Sequence, residues 1–252
     1  MKKLKKTFKL HSTSLIIPLY NEELRLDRCF NIIKKFLKKS KVFLEIIFVD
    51  DGSTDISKKK ILNFINRNKK KIFNTKINLI SYRKNMGKGY AIKKGILVAK
   101  SKWILTCDLD MSVLPEQYLI WKKRKLIKNI NCAYIASRTH RNSKIKSQFI
   151  RRKIGNILNL ILFIFFNLKI SDTQCGFKVF HSSYIKKIFN KIKCYDYAFD
   201  VETMLLLNKN NIKIVELPVS WIHRPGSKVH LIKDSIKFFL DLCILGIRYL
   251  RQ

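Results

Sequence analysis

Short apolar runs alternate with longer amphipathic stretches over the first half of the chain. Runs at 14–18, 43–49, 77–82 and from Trp103 onward are rich in β-branched and aromatic residues, and each is short enough to be a buried strand. Strands that alternate with amphipathic helices in this way predict a mostly parallel α/β sheet with right-handed crossovers. The helices after the first three strands are predicted to cover about 20–39, 56–66 and 90–99.

The pattern continues less regularly after residue 110. Residues 212–221 alternate as in a strand, and Pro218 favours an edge position. Basic and then apolar residues over 144–168 predict a long helix. This helix could be interfacial at a membrane or a core helix with a solvated charged end, and the sequence leaves both interpretations open. The other predicted elements are helices over 116–128 and 199–208 and a strand over 132–137.

We expect a single domain over the 252 residues, because there is no Pro- or Ser-rich linker and no internal repeat. It divides into a basic tail at 1–12, a core at 13–228 and an amphipathic helix at 229–252. No segment reaches the roughly 18–20 uninterrupted apolar residues of a membrane span. The two most apolar stretches, 157–166 and 236–250, contain or adjoin polar and charged residues, which predicts buried or interfacial helices.

The chain is strongly basic, with a net charge of +36. Such a surface attracts polyanions, which include nucleic acid, anionic lipid head groups and phosphorylated substrates. Nucleic acid is disfavoured as a partner because the basic residues are scattered and no nucleic-acid-binding motif is recognisable. The six cysteines form no Cys-x-x-Cys pair and no secretory signal is apparent, so we expect reduced thiols in a cytosolic compartment.

Two carboxylates, Asp108 and Asp110, follow the fourth strand. Residues two apart in a strand point to the same side, and open α/β sheets bind their ligands at the carboxyl ends of the strands. Hard oxygen donors at such a place suit Mg²⁺ or Mn²⁺, which also takes phosphate oxygens from a substrate. The alternative is a polar strand end whose aspartate caps the next helix.

Three predicted strands end in polar, turn-forming sequence, and in a parallel sheet these ends share one edge. Bringing carboxylates together there is costly unless a cation or hydrogen-bond donors compensate, so these ends predict a ligand-binding crevice. The three segments are Tyr20-Asn21-Glu22, Asp50-Asp51-Gly52-Ser53 and Asp108-Leu109-Asp110.

Two of the turns allow more than one interpretation. Asp50 and Asp51 could accept hydrogen bonds from a nucleotide, or they could belong to a capping box for the next helix. The turn Gly87-Lys88-Gly89 offers backbone N–H groups and one cation to a phosphate, although it lacks the P-loop spacing. A plain strand-to-helix turn is the alternative for this segment.

Five motifs follow one another along the chain. They are Ile17-Pro18-Leu19-Tyr20-Asn21-Glu22-Glu23, Val49-Asp50-Asp51-Gly52-Ser53-Thr54-Asp55, Asn85-Met86-Gly87-Lys88-Gly89, Asp108-Leu109-Asp110 and Asp172-Thr173-Gln174-Cys175-Gly176-Phe177-Lys178. Together they resemble the motifs of the family-two glycosyltransferases of the GT-A fold. Within that family the chain is most similar to the branch that glycosylates polyprenyl phosphates, and the similarity extends from about residue 14 to residue 227. The fifth motif and the Phe199-Asp200-Val201-Glu202 segment after it are the most specific to this branch.

The resemblance implies a nucleotide-sugar site along the crevice. By analogy with the family, Pro18, Tyr20 and Glu22 would border the base and ribose of the donor, and Asp51 would hold the base. Lys88 would contribute a cation to the donor phosphates.

The resemblance also implies a divalent cation, Mg²⁺ or Mn²⁺, at Asp108 and Asp110, with Asp110 as the more direct ligand to the diphosphate. Arg224, Ser227 and Lys228 would correspond to a late loop that closes over the donor phosphates.

For the acceptor, the resemblance implies that Arg138 and one of Arg151 and Arg152 bind a lipid phosphate. Asp200 falls where other members of the family have a catalytic base. A phosphate acceptor arrives largely ionised and needs no base, so Asp200 and Glu202 could instead cap the helix or pair with a basic residue.

The expected activity is an inverting transfer of a hexose to a polyprenyl or dolichyl phosphate. The resemblance favours UDP-glucose as donor, with GDP-mannose as the alternative, and Ser112 weakens the mannose interpretation because mannose synthases often have Gln there. A saccharide or another lipid remains a second possibility for the acceptor. We expect a peripheral protein on the cytoplasmic inner face of a membrane, bound to its anionic surface and accompanied by a membrane-spanning partner.

Overall fold

A computed structural model describes residues 13–68, 75–146, 166–196, 198–224 and 231–250. The predicted basic tail at 1–12 therefore lies outside the described residues. All four predicted strands of the first half are present, as are the helices that follow the first three of them. The strands are β1 (Thr13–Leu19), β2 (Phe43–Asp50), β3 (Lys76–Ser81), β4 (Trp103–Thr106), β5 (Cys132–Ser137), β6 (Lys144–Lys146), β7 (Lys178–His181), β8 (Lys213–Pro218) and β9 (Ser220–Ile222). The helices are α1 (Glu23–Lys39), α2 (Ser57–Asn68), α3 (Lys88–Val98), α4 (Glu116–Lys123), α5 (Ser182–Lys191), α6 (Phe199–Lys209) and α7 (Leu231–Leu250).

Seven strands form one mostly parallel sheet in the order β3-β2-β1-β4-β7-β5-β8. β7 runs antiparallel to both of its neighbours, β4 and β5, and no strand was predicted there. The edge position expected from Pro218 is confirmed, because β8 is the last strand of the sheet and pairs only with β5 among the described strands. The mostly parallel α/β architecture is thus as predicted.

Helices cover both faces of the sheet, and two hydrophobic clusters fill the space between the layers. Successive residues of β1 enter different clusters. Leu15 and Ile17 belong to the first cluster, whereas Ile16, whose side chain points to the opposite face, belongs to the second. The first cluster packs against α1, α2 and α4, and the second against α3, α5, α6 and α7. Burial on both sides explains why the inner strands β1, β2 and β4 are mostly apolar.

A second, two-stranded sheet pairs β6 with β9 in parallel. The helix predicted over 144–168 is therefore wrong at its start, because residues 144–146 are extended: Lys144 donates to the carbonyl of Val219, and the carbonyl of Lys146 accepts from His223. Residues 147–165 lie outside the described residues. The strand predicted over 212–221 is in fact two strands, since the chain leaves the large sheet after β8 and joins β6 as β9.

The predicted C-terminal helix is present as α7 and is amphipathic. Leu242 and Leu245 are buried in the second cluster. Its C-terminal half is fixed to the core by the carboxylate of Glu202, which accepts from Arg248 (3.0 Å) and Tyr249 (2.9 Å). Within the described part of the chain, no helix has the length and apolar content needed to cross a membrane. Four large apolar residues of α7 are more than half exposed: Phe239, Leu240, Ile244 and Ile247.

Candidate active site

A cavity of about 470 Å³ opens at the carboxyl ends of β1, β2 and β4, beside the start of α3. This is the crevice that the three polar strand ends predict. Its lining combines residues from five separate segments of the chain, and Arg25, Asn85 and Asp196 are among the lining residues that were not predicted as site residues. The predicted site residues that border it are Pro18, Tyr20, Glu22, Asp51, Lys88, Asp108 and Asp110.

Asp51 connects the end of β2 to the turn before α3. Its two carboxylate oxygens accept from the backbone N–H groups of Met86 and Gly87, each at 2.9 Å. Burial raises the pKa of Asp51, and these backbone donors oppose the rise. The N–H of Gly89 donates to the carbonyl of Tyr195. The expectation that the turn Gly87-Lys88-Gly89 offers its N–H groups to a phosphate is therefore corrected for Gly87 and Gly89, because protein acceptors already engage them.

Asp50 and Asp55 show that the capping interpretation of the turn between β2 and α2 is also partly right. One oxygen of Asp50 accepts from the N–H of Ser53 at 3.0 Å, which closes the turn, and the other accepts from Ser81. Asp55 accepts from the N–H of Ser57, the first residue of α2. Asp50 and Asp55 thus brace the loop, whereas Asp51 faces the cavity.

Gly87 allows the segment around residue 195 to approach the turn. Its φ of 97° lies in the left-handed region that favours glycine. A Cβ at this position would lie 2.5 Å from the carbonyl oxygen of Tyr195 and 2.9 Å from a carboxylate oxygen of Asp196. The close approach is what brings Asp196 to the cavity.

Lys88 and Asp108 form an ion pair across the cavity, with 2.6 Å between Nζ and Oδ1 and about a third of each side chain exposed. Burial disfavours both charges. The attraction between the two groups outweighs burial, so the pKa of Asp108 is lowered and the pKa of Lys88 is raised. The sequence predicted both residues as ligand contacts but not their pairing.

Asp108 and Asp110 lie in the turn after β4, which ends at Thr106. Oδ1 of Asp110 accepts from the N–H of Ser112 at 2.8 Å, and Met111 between them has a φ of 53°. Among the described residues, no group of three His, Cys, Asp or Glu side chains is arranged to hold a metal. Two carboxylates are a suitable donor set for Mg²⁺ or Mn²⁺ when substrate phosphate and water complete the coordination.

A second, small cavity of about 30 Å³ lies on the other side of Asp108. Arg138 lines it and holds Asp172 in a bidentate pair, with Nε–Oδ2 and Nη2–Oδ1 distances of 2.8 Å. Burial opposes both charges, but the pairing holds the pKa of Asp172 below its usual range. Arg138 also stacks over the Trp221 ring and remains 36% exposed. It therefore retains surface for an acceptor, while Asp172 fixes its orientation.

The remaining predicted residues lie further away or outside the described part. Asp200 is buried, does not border the large cavity, and pairs with Lys178. The Nε of Arg224 is buried and has no hydrogen-bond partner among the described residues. Burial and the charge of Arg28 lower the pKa of Arg224, and the charge of Asp110 opposes this. The predicted residues outside the described part of the chain are Arg151, Arg152, Ser227 and Lys228.

Residue patterns alone gave no reason to expect Lys178, Asp172 or Asp196 at the site. Lys178 and Asp172 belong to the motif that carried the family resemblance, but no spacing rule showed that they would pair with Asp200 and Arg138. Asp196 lies in a loop without any motif. Only the pairing of β7 with β4 and the contact at Gly87 bring these residues close.

A two-layered helical cover on a mostly parallel sheet, with a carboxylate pair at the strand ends, is the architecture of GT-A glycosyltransferases. Solved structures support this. Mannosyl-3-phosphoglycerate synthase from Rubrobacter xylanophilus matches with a TM-score of 0.68 and 16% identity, over 96% of this chain and 74% of that chain. Glucosyl-3-phosphoglycerate synthase from Mycobacterium tuberculosis, crystallised with Mn²⁺, UDP and its product, matches with a TM-score of 0.62 and 15% identity, over 92% and 78%.

Residues 14–189 match Glycosyl transferase family 2, and the chain belongs to that family. Curated relatives include the dolichyl-phosphate beta-glucosyltransferases of Dictyostelium discoideum, 34% identical over 94% of this chain and 74% of the relative, and of Saccharomyces cerevisiae, 35% identical over 94% and 75%. The human protein of the same name is 30% identical over 94% and 75%. The predicted family, fold and enzyme class are thus confirmed: the protein is a glycosyltransferase.

Proposed function

We propose that the protein transfers glucose from UDP-glucose to dolichyl phosphate or another polyprenyl phosphate, with inversion at the anomeric carbon. One observation carries the proposal: Asp108 borders both the large cavity and the small cavity beside Arg138. A donor diphosphate in the large cavity and an acceptor phosphate bound to the exposed part of Arg138 would then lie on either side of this side chain. The names of the curated relatives supply glucose and dolichyl phosphate, and the UDP bound in a structural neighbour supplies the nucleotide.

In this proposal the donor occupies the large cavity. Pro18, Tyr20 and Glu22 border its base and ribose, and Asp51 holds the base. Glu22 is itself oriented by an ion pair with Arg25.

The donor diphosphate faces the cationic side of the cavity. Lys88 and Arg224 provide positive charge there. Ser227 and Lys228, which lie outside the described residues, are assigned to the donor phosphates by the family resemblance alone. Asp110 together with Asp108 would hold Mg²⁺ or Mn²⁺, which stabilises negative charge on a departing diphosphate. The presence of Mn²⁺ and UDP in a structural neighbour supports this assignment.

The chain's own residues would bind and orient the acceptor rather than deprotonate it. A phosphate monoester has a second pKa of about 6, so it arrives largely ionised and attacks without a general base. Arg138, with Arg151 or Arg152, would hold its oxygens. The pair between Arg138 and Asp172 presents one face of the guanidinium in a fixed direction.

The reaction is proposed to take place at the cytoplasmic face of a membrane, with the protein bound peripherally to anionic lipid. The exposed apolar residues of α7 and the net charge of +36 support this, because apolar burial and attraction to lipid head groups together drive interfacial binding. A membrane-spanning partner would add to this attachment.

The test is a transfer assay with the purified full chain, Mn²⁺, a short polyprenyl phosphate and a panel of labelled nucleotide sugars. Label that enters the lipid from UDP-glucose, and is lost with EDTA, is the expected result. Transfer from GDP-mannose in preference to UDP-glucose would overturn the choice of sugar. Metal-dependent donor hydrolysis without lipid product would overturn the acceptor.

A further inference from the structure

Gly176 lies in the loop before β7 and faces the carboxylate of Asp108. A Cβ built on Gly176 would overlap with the carboxyl carbon and with both carboxylate oxygens of Asp108. Real Cβ atoms do not approach other heavy atoms so closely, so any side chain at position 176 requires a displacement. Asp108 occupies its present position only because residue 176 has no side chain.

The loop that carries Gly176 is fixed, so it cannot easily take up this displacement. The carbonyl of Gly176 accepts from the hydroxyl of Thr106 at 2.8 Å, and the neighbouring carbonyl of Phe177 accepts from the N–H of Ala136. On the other side, the carbonyl of Cys175 accepts from the buried ammonium of Lys178 at 2.7 Å. Three anchors within three residues hold the backbone against the end of β4.

The carboxylate of Asp108 is the part that can move, since it ends a side chain with rotatable bonds. In its present position it is 2.6 Å from Nζ of Lys88 and borders both cavities. A methyl group at position 176 would displace the carboxylate of Asp108 without removing its charge. The substitution would therefore change the position of the carboxylate and nothing else about it.

We infer that Gly176 is a positioning residue: because it has no side chain, it sets the position of the Asp108 carboxylate relative to Lys88 and to the donor diphosphate. The inference rests on the proposed function for the role of Asp108 but not for the steric relationship itself. It predicts that Gly176→Ala acts entirely through Asp108.

The first test is therefore a double-mutant cycle that needs no substrate. The free energy of unfolding is measured for the wild type, Gly176→Ala, Asp108→Ala and the double variant. Asp108→Ala removes the three atoms that a Cβ at 176 would overlap, so Gly176→Ala is expected to lower stability in the wild-type background and to have little effect in the Asp108→Ala background. Equal effects in both backgrounds would overturn the inference.

The second test measures binding of UDP in the presence of Mn²⁺ by calorimetry. Gly176→Ala is expected to weaken this binding by about tenfold, because small misplacements of site groups have large effects. The matched control is Gly95→Ala in α3, whose Cβ would meet the side chain of Ile16 in the core rather than any group of the cavity. It should lower the melting temperature and leave the affinity of the folded protein unchanged.

The possible results distinguish a failure of the proposed function from a failure of the positioning role of Gly176. A wild-type protein that binds no UDP, with or without Mn²⁺, contradicts the proposed function, and the stability cycle still decides the steric inference. A wild-type protein that binds UDP and a Gly176→Ala variant that binds it equally well overturn the positioning role of Gly176.

Discussion

The ammonium group of Lys178 lies 2.6 Å from the carboxylate of Asp200, and the two side chains are only 3% and 5% exposed. Lys178 also donates to the carbonyl of Cys175. The sequence left open whether Asp200 acts as a base or pairs with a basic residue, and the structure shows the pairing. Burial raises the pKa of Asp200, and Lys178 opposes that rise, so the lysine is what favours the ionised carboxylate.

Lys178→Met is expected to destabilise the protein by roughly 3–5 kcal/mol near neutral pH, because it leaves a buried carboxylate without its partner. The measurement is urea unfolding. The double variant Lys178→Met with Asp200→Asn should recover part of the loss, since it removes the orphaned charge. A double variant that is less stable than Lys178→Met would contradict this account.

The loss in Lys178→Met should also depend on pH. Asp200 already has a raised pKa in the folded protein, and without the lysine it should rise further. A carboxyl with a raised folded pKa binds protons more tightly when folded, so the penalty grows as pH rises above the unfolded value of about 3.9 and is complete above the folded pKa. The deficit relative to wild type should therefore shrink as the pH is lowered, as urea unfolding at several pH values would show.

Asp172→Asn should also show its largest loss of stability near neutral pH, although the pKa of Asp172 is shifted in the opposite direction to that of Asp200. Arg138 holds the pKa of Asp172 below its usual range, so the stability that this pair contributes is present above the unfolded pKa of about 3.9 and is lost as pH falls through the folded pKa. The variant should lose roughly 1–3 kcal/mol near neutral pH and show a shallower acid slope. Asp27→Asn is the control, since its pair with Lys60 is largely exposed and should contribute little.

Asp110→Asn should reduce transfer by about 100-fold or more, because the neutral amide is a poor ligand for Mg²⁺ or Mn²⁺. Binding of UDP in EDTA should be nearly unchanged, whereas the gain in affinity on adding Mn²⁺ should be lost. Calorimetry with and without metal measures both. A variant that keeps the full Mn²⁺ effect would show that the cation binds elsewhere.

Lys88→Met should shift the acid limb of the activity profile to higher pH. Burial tends to raise the pKa of Asp108, and the attraction of Lys88 outweighs it, so without the lysine this carboxyl protonates at a higher pH. Transfer rates measured over a series of pH values would reveal the shift. Lys88→Arg keeps the charge and should leave the limb close to its wild-type position; an equal shift in both variants would exclude this electrostatic cause.

The apolar face of α7 gives a further prediction for membrane binding. Replacing both Leu240 and Ile247 with serine should weaken binding to anionic vesicles by about tenfold or more, since each residue contributes roughly 1 kcal/mol when half of its surface is buried in lipid. Leu24→Ser on α1 is the control, because Leu24 is 90% exposed but lies outside α7. If Leu24→Ser weakens binding to the vesicles as much as the α7 substitutions do, the binding does not depend on the apolar face of α7.

Hydrophobic periodicity predicted the first half of the fold well, because the local pattern of apolar residues is enough to indicate each strand and helix there. The polar ends of β1, β2 and β4 predicted the crevice for the same reason: parallel strands must bring their carboxyl ends together. The motifs carried the resemblance to the family, and the match of residues 14–189 to Glycosyl transferase family 2 confirmed it.

Long-range pairings could not be predicted in this way. Residues 144–146 have the composition of a basic helix start but extend along β9, because tertiary hydrogen bonds outweigh a weak local preference. The contact of Lys178 with Asp200, like that of Arg138 with Asp172, spans tens of residues and depends on the antiparallel β7. The individual roles assigned to the site residues stay predictions until the variants are measured.

The position of β7 has a consequence for synthesis of the chain on the ribosome. The four strands β3, β2, β1 and β4 are complete at residue 106. One edge of β4 then has no partner strand until residues 178–181 have emerged as β7. Among the described strands, β7 is also what connects β5 to β4. Synthesis starts at the N-terminus and a domain generally folds as a unit, so β1 to β4 wait for the strand that completes their sheet. Gly176 and β7, which adjoin Asp108, emerge only after β4 and β5, and the enzyme cannot assemble a working centre before most of its chain has been made.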